Sequence, residues 1–321
     1  MKNDLRIASL LPSSTEIICA LGLEENLVGI THECDFPTYV TGLPHLTASR
    51  ISHETMTSKE IDHAVRSQLD GHGSIYDLDT DLLQELKPDI ILTQELCDVC
   101  AVSYKTVKKA ARMYVADAQV VSLEPNTIED IFENITTVGE LCGVREKAVS
   151  LVNDLYKRLE DIRKITSELK DHPNAFMLEW LEPPFSPGHW VPEQVTIAGG
   201  NPLLGRAGER SVTTTYKSIY ESKPEVIVFM PCGYYTADTL RQLENTDFPE
   251  NWRRIPAIET GNIWALDATS YFSRPGPRVV DGAEILAKIF HSEIFGAPSV
   301  AEAVRIPREL ISFSGSFSAQ A

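Results

Sequence analysis

Residues 5–31 read LRIASLLPSSTEIICALGLEENLVGIT, and the fold is decided there. An apolar run of strand length leads into a Ser-Ser-Thr-Glu helix start. An apolar helix follows, Gly22 sits near its end, and a second apolar run occupies residues 27–30. This is a strand, helix, strand unit. The pattern returns in LLQELKPDIILTQ (82–94), where a short helix stops before Pro88 and a buried strand runs over 89–93. It returns again in AQVVSLEP (118–125), followed by the helix TIEDIFENITTVGELCG (127–143). Elements that alternate in this way imply a mainly parallel sheet covered by helices on both faces, a doubly wound α/β arrangement.

From Val144 to Leu169 the character changes. Val144, Ala148, Leu151, Leu155, Leu159, Ile162 and Leu169 recur at helical spacing without an internal Gly or Pro. One long helix is expected, on the order of 40 Å at 1.5 Å per residue. Beyond it NAFMLEWL (174–181), PEVIVFMP (224–231) and GNIWALD (261–267) read as strands, and PRVVDGAEILAKIFHSEIF (277–295) as a closing helix. The expected organisation is therefore an N-terminal α/β lobe over 1–143, a connecting helix over 144–171 and a C-terminal α/β lobe over 172–296. A C-terminal extension over 297–321 would be partly disordered at its Ser, Gly and Ala-rich tip.

With 321 residues and 43% hydrophobic composition the chain has material for two lobes. A net charge of −17 excludes a nucleic acid or an anionic membrane as partner, since either needs a basic footprint. No window holds 18 uninterrupted apolar residues. Pro12, Ser13, Ser14, Thr15 and Glu16 break the apolar run ahead of Cys19, and bulky Ile18 stands where a cleavage site wants a small residue. The expected compartment is the cytoplasm, or the periplasm if an export signal has been removed. In the cytoplasm the six cysteines stay reduced.

In open parallel sheets the ligand crevice lies beyond the carboxyl ends of the strands. The polar residues collect there. His32, Glu33, Cys34 and Asp35 follow the second strand, Glu95, Cys97, Asp98 and Cys100 follow the third, and His189 and Trp190 lie in the loop after NAFMLEWL. Cys232 follows PEVIVFMP, and Tyr271, Phe272 and Arg274 follow GNIWALD; Tyr76 joins the same set of candidates. One cleft between the lobes could receive them all.

Two chemistries fit the thiols. His32, Cys34, Cys97, Cys100 and Cys232 are the ligand types that hold zinc or iron, and a metalloenzyme would use Glu33 or Asp35 as general base. A cysteine nucleophile with His32 or His189 as base is the second. Alternatively the thiols are small packing groups and His32 is a hydrogen-bonding residue at the lip of a cleft. In EPPFSPGHWVP (182–192), an irregular Pro-rich segment, Phe185 and Trp190 have no periodic reason to be buried and are candidate walls for a flat ligand, whereas Trp180 within its strand reads as core. In SYFSRPGPR (270–278), Pro275 and Pro277 stiffen the loop that holds Arg274.

These pieces in this order resemble the helical-backbone (class III) substrate-binding proteins of ABC importers, and most closely the vitamin B12 (cobalamin) binders among them. The similarity runs from LRIASLLPSSTEIICALGLEENLVGIT through LKPDIILTQ, the long helix and LEPPF to SRPGPR. The resemblance implies two α/β lobes joined by one long helix, no enzymatic activity, and a corrinoid, haem or metal chelate held between the lobes. Carried over by position, Phe36, Phe185 and Tyr271 or Phe272 would be the aromatic contacts of cobalamin, with Arg274 at its amide or carboxylate edge. Importer-docking members carry a glutamate on each lobe; the matching positions here fall near Asp81 and Lys217, and the lysine makes a permease partner doubtful.

Overall fold

The first apolar runs become strands where their periodicity places them. The structure, a computed structural model, describes residues 4–49, 51, 55–70, 76–94, 104–115 and 117–315. These form two compact units. The first comprises the described residues of Met1–Ser52, His63–Pro125 and Glu129–Asp154, and the second those of His53–Asp62, Asn126–Ile128 and Leu155–Ala321.

In the first unit β1 (Ile7–Ser9), α1 (Pro12–Ala20) and β2 (Leu27–Ile30) form the expected crossover. There follow in the chain β3 (Thr47–Ser49), α2 (Ser58–Asp70), β4 (Tyr76–Leu78), α3 (Thr80–Leu86), β5 (Ile90–Thr93), α4 (Tyr104–Tyr114), β6 (Gln119–Ser122) and α5 (Ile128–Leu141), of which α2 up to Asp62 and Ile128 of α5 belong to the second unit. The sheet order is β2-β1-β5-β6, all parallel, while β3 and β4 form a separate antiparallel pair. Every residue of β1 and β5 is buried, as a strand covered on both faces requires. Helix α1 differs from the sequence expectation. It starts at Pro12, whose fixed φ suits the first helical position, so Ser13, Ser14 and Thr15 lie inside the helix and no side chain caps it.

Helix α6 (Arg145–Thr166) has 22 residues and spans about 33 Å. It stops three residues short of Leu169, where the Thr166 hydroxyl donates to the Ile197 carbonyl at 2.9 Å. The division between the units falls within it, after Asp154.

The second unit contains β7 (Asn174–Leu178), β8 (Phe185–Ser186), α7 (Val191–Ile197), β9 (Asn201–Pro202), β10 (Val212–Thr213), α8 (Tyr216–Ser222), β11 (Val226–Phe229), α9 (Thr236–Leu243) and β12 (Asp247–Phe248). It continues with α10 (Pro256–Thr260), β13 (Ile263–Leu266), α11 (Ala268–Tyr271), α12 (Val279–Phe290), α13 (Ser292–Phe295), β14 (Ala303–Arg305) and β15 (Ser312–Phe313). Its sheet has the order β14-β13-β11-β7-β9, parallel except for β14 at the edge. An aromatic core of Phe176, Phe229, Phe248, Trp252 and Tyr216 fills one side, with Phe248 stacked on Trp252 at 4.8 Å. The Trp252 indole N–H donates to the Tyr216 carbonyl at 2.9 Å. The segment set apart as an extension from residue 297 belongs to this core: β14 pairs with β13, β15 pairs with β12, and Ile306 and Ile311 are buried. Residues 316–321 lie outside the described residues.

The same plan is built twice. Order β9-β7-β11-β13 in the second unit repeats β2-β1-β5-β6 in the first, and the repeat extends to atoms. Helices α3 and α8 each have seven residues, opened by Asp79 and Thr215, whose side chains accept from Leu82 N and Ser218 N. Both end on a left-handed lysine, Lys87 (φ 42°) and Lys223 (φ 50°), followed by a proline that cannot continue the helix. Asp89 then accepts the Arg6 backbone N–H at 2.8 Å and Glu225 accepts the Asn174 backbone N–H at 2.8 Å, which locks β5 against β1 and β11 against β7. The motifs are L-K-P-D and S-K-P-E. In each unit the chain reverses its direction across the sheet at one strand, β1 or β7, so each unit has a topological switch point there.

Candidate functional site: the strand carboxyl ends

In the first unit the polar groups beyond β1 and β2 form two hydroxyl chains. Thr15 donates to Ser9 at 2.7 Å and meets the Cys34 thiol at 3.0 Å, while the Ser9 hydroxyl lies 3.0 Å from the Leu11 carbonyl. The second chain runs through His32. Its Nδ1 lies 2.7 Å from the Thr47 hydroxyl, which donates to Thr31 at 2.8 Å. Burial, and then the charge of His45, holds the imidazole below its usual range, so His32 is neutral at pH 7. Tyr76 donates to Glu33 at 3.0 Å, and its ring lies 5.6 Å from the His32 ring. The structure thus brings together His32, Glu33 and Tyr76. Asp35 is half-buried beside Phe36, which is 43% exposed.

The expected metal set does not gather among the described residues, where no three His, Cys, Asp or Glu side chains cluster as a metal would need. Cys34 is buried against Thr15, His32 is engaged by Thr47, and Cys232 acts on Glu179. Glu95, Cys97 and Cys100 lie outside the described residues.

In the second unit the switch point is more informative. Glu179 directly follows β7. Its backbone N–H donates to the Phe185 carbonyl at 3.2 Å and its carbonyl accepts the Cys232 N–H at 3.0 Å. Phe185 N–H in turn donates to the Trp180 carbonyl at 3.2 Å. These bonds join the backbones of Glu179, Phe185 and Cys232 at the end of β7. The Glu179 side chain as a whole keeps some exposure, yet its Oε2 is buried and has no hydrogen-bond partner. Burial, and then Cys232, pushes its carboxyl up to about 8, against a hydrogen bond from Ser211. A Cβ on Gly188 would lie 2.3 Å from Ser211 N, so only glycine lets the loop that carries Ser211 cross here. His189 follows with φ 52°; its Nδ1 is buried without a partner, and burial and then Arg210 lower its basicity.

Two expected ligand walls are interior instead. Trp190 is 6% exposed and its indole N–H donates to the Phe272 carbonyl at 2.8 Å; Phe272 itself is 1% exposed. An indole whose N–H finds a backbone acceptor loses its reason to stay at the surface. Both rings brace the loop that carries Arg274, which is 7% exposed. The Gln194 amide adds bonds to the carbonyls of Tyr271 at 3.1 Å and Val279 at 2.8 Å. Tyr271 stays half-buried, with the Arg278 guanidinium 5.9 Å from its ring centre. Trp180 departs from the sequence reading in the opposite sense. It is half-buried, its ring edge meets Tyr234 at 5.3 Å, and its N–H donates to the Ser58 carbonyl at 3.3 Å.

Sequence reasoning passed over Glu179. The available signal was a lone carboxylate at the end of an otherwise apolar strand, where carboxylates are rarely found unless they serve a site.

The family described as Periplasmic binding protein matches this sequence over residues 7–269. A vitamin B12-binding protein of Vibrio cholerae is 22% identical over 283 residues, 87% of this chain and 86% of that protein. An uncharacterized ABC transporter substrate-binding lipoprotein of Bacillus subtilis is 24% identical over 299 residues, 92% of this chain and 82% of that one. The solved structure of a periplasmic heme-binding protein from Roseiflexus sp. RS-1 superposes with a TM-score of 0.67 at 18% identity, covering 90% of this chain and 98% of that chain.

Proposed function

Because this chain belongs to the periplasmic binding protein family, we propose that it binds a corrinoid or a related metal-centred macrocycle at its strand carboxyl ends. The reading is supported by relatives described as binding vitamin B12 and heme. The observation that carries it is the placement of Phe185 at the switch point of the second unit, half-buried and bonded through its backbone to the strand end that presents Glu179. A flat macrocycle laid on such a ring gains roughly 25 cal/mol per Å² of apolar area removed from water. In the same unit, Tyr271 and Arg274 are the polar groups that would orient the ligand edge.

The test is an absorption titration of the purified chain with cobalamin and, separately, with haem. Saturable binding of either at one ligand per chain is expected, weakened about tenfold by Phe185→Ala through lost ring burial. Binding of neither refutes the reading. The zinc or iron alternative rests on Cys97 and Cys100, outside the described residues, and metal analysis of purified protein decides it. An importer permease is not part of this reading: at the second docking position Lys217 pairs with Glu221 at 3.8 Å, within its own helix, instead of offering an acid. Fractionation of the natural host assigns the compartment.

A further inference from the structure

The carboxyl of Glu179 has a fixed backbone and an unfinished side chain. Two backbone bonds hold the residue, to Phe185 and to Cys232, at the strand where the sheet order reverses and ligands of such sheets are bound. Ser211 hydrogen-bonds the carboxyl, yet Oε2 is buried with no partner. A buried polar atom without a partner costs free energy in the free chain, and a ligand atom that completes its bond recovers it. Among the described residues the only titratable group acting on it is the Cys232 thiol, from the loop after β11; no cation does. With burial as the dominant influence, the group keeps its proton at pH 7 and carries an O–H donor rather than a negative charge.

We propose that Glu179 is a ligand-binding residue in its neutral form, its carboxylic O–H donating to a carbonyl-type oxygen on the edge of the ligand. The acceptor is an amide oxygen if the ligand is a corrinoid and a carboxylate oxygen if it is a haem. The inference rests on the binding function proposed above and adds to it the class of atom that is recognised and the protonation state that recognises it. A carboxylate at this position would repel either acceptor, so binding should be strongest where Glu179 is protonated and fall as pH rises through about 8.

The experiment measures affinity for cobalamin and for haem across that pH range in the unaltered chain, Glu179→Gln and Glu179→Ala, with Cys232→Ser as a background that removes the thiol titration. At pH 7, Glu179→Ala should weaken binding about tenfold, the size of one lost hydrogen bond in a dry site. Glu179→Gln, whose amide still donates, should stay within about threefold and show no loss at high pH. The preferred ligand tells the two acceptors apart. If the unaltered chain binds neither probe, the function proposed above fails and this inference with it. If it binds, but its affinity is flat with pH and unchanged in Glu179→Gln, this inference alone is overturned. The comparison of the unaltered chain with Glu179→Gln decides the matter even where Glu179→Ala does not fold.

Discussion

Gly282 lies in the first turn of α12, where the helix passes the loop carrying Tyr271, Phe272 and Arg274. Gly282→Ala would place a Cβ 2.6 Å from the Tyr271 carbonyl oxygen and 2.6 Å from the Gln194 Nε2, where ordinary contact begins at 3.4 Å. In an open helix the same change gains about 1 kcal/mol of helix propensity. Here that gain is opposed by overpacking of about 1–3 kcal/mol. The Gln194 amide can only retreat by giving up its bonds to Tyr271 and Val279, about 1 kcal/mol each. The net expectation is a loss of about 3 kcal/mol, and a fall in melting temperature of about 6–12 °C for a unit of this size. Calorimetry of Gly282→Ala measures it, with Gly42→Ala as reference. No atom lies within 4 Å of a Cβ at Gly42, so that change should stay within about 0.5 kcal/mol of the unaltered chain. Equal melting temperatures for the two variants would refute the claim that α12 is packed against this loop without room for a methyl group.

Three further outcomes are expected. Lys87→Gly and Lys223→Gly should each raise stability by about 0.5–1 kcal/mol in denaturant titrations, because both lysines hold a left-handed conformation that glycine adopts without steric cost; a fall in stability would contradict the assignment. The folded chain keeps the Glu179 proton well above the pH at which the unfolded chain releases it. The stabilisation is therefore complete below the unfolded value near 4.5 and lost as pH rises through about 8, so the unaltered chain should lose more melting temperature between about pH 5 and about pH 9 than Glu179→Gln does, and parallel curves would refute it. Burial pushes the Cys142 thiol up to about 11, so iodoacetamide at about pH 8 should modify it only under unfolding conditions, and labelling of the native chain would show that the site is open.

The strands and helices were legible because their signals are local. The apolar runs at 27–30, 89–93 and 224–231 carry their own burial, and a proline after Lys87 and Lys223 ends a helix whatever surrounds it. The parallel arrangement and the long helix followed from alternation and helical period, and the family resemblance was present in the order of these pieces. The C-terminal strands were missed because β14 and β15, of three and two residues, are too short to show a period and exist only through their partners β13 and β12. For the site, residue type named Phe36, Phe185, Glu33 and Tyr76 as candidates, but exposure sorted them from Trp190 and Phe272. An indole N–H in EPPFSPGHWVP does not announce that its acceptor is a carbonyl 82 residues away. Glu179 illustrates the same limit from the other side. Its neighbours in sequence are apolar and ordinary, and its chemistry comes from Ser211 and Cys232, brought to it by a glycine crossing and by strand pairing. Local sequence determines secondary structure because hydrogen bonding and burial period act over a few residues. Protonation state and unpaired polar atoms are decided by desolvation and by groups distant in the chain, so only the tertiary structure sets them.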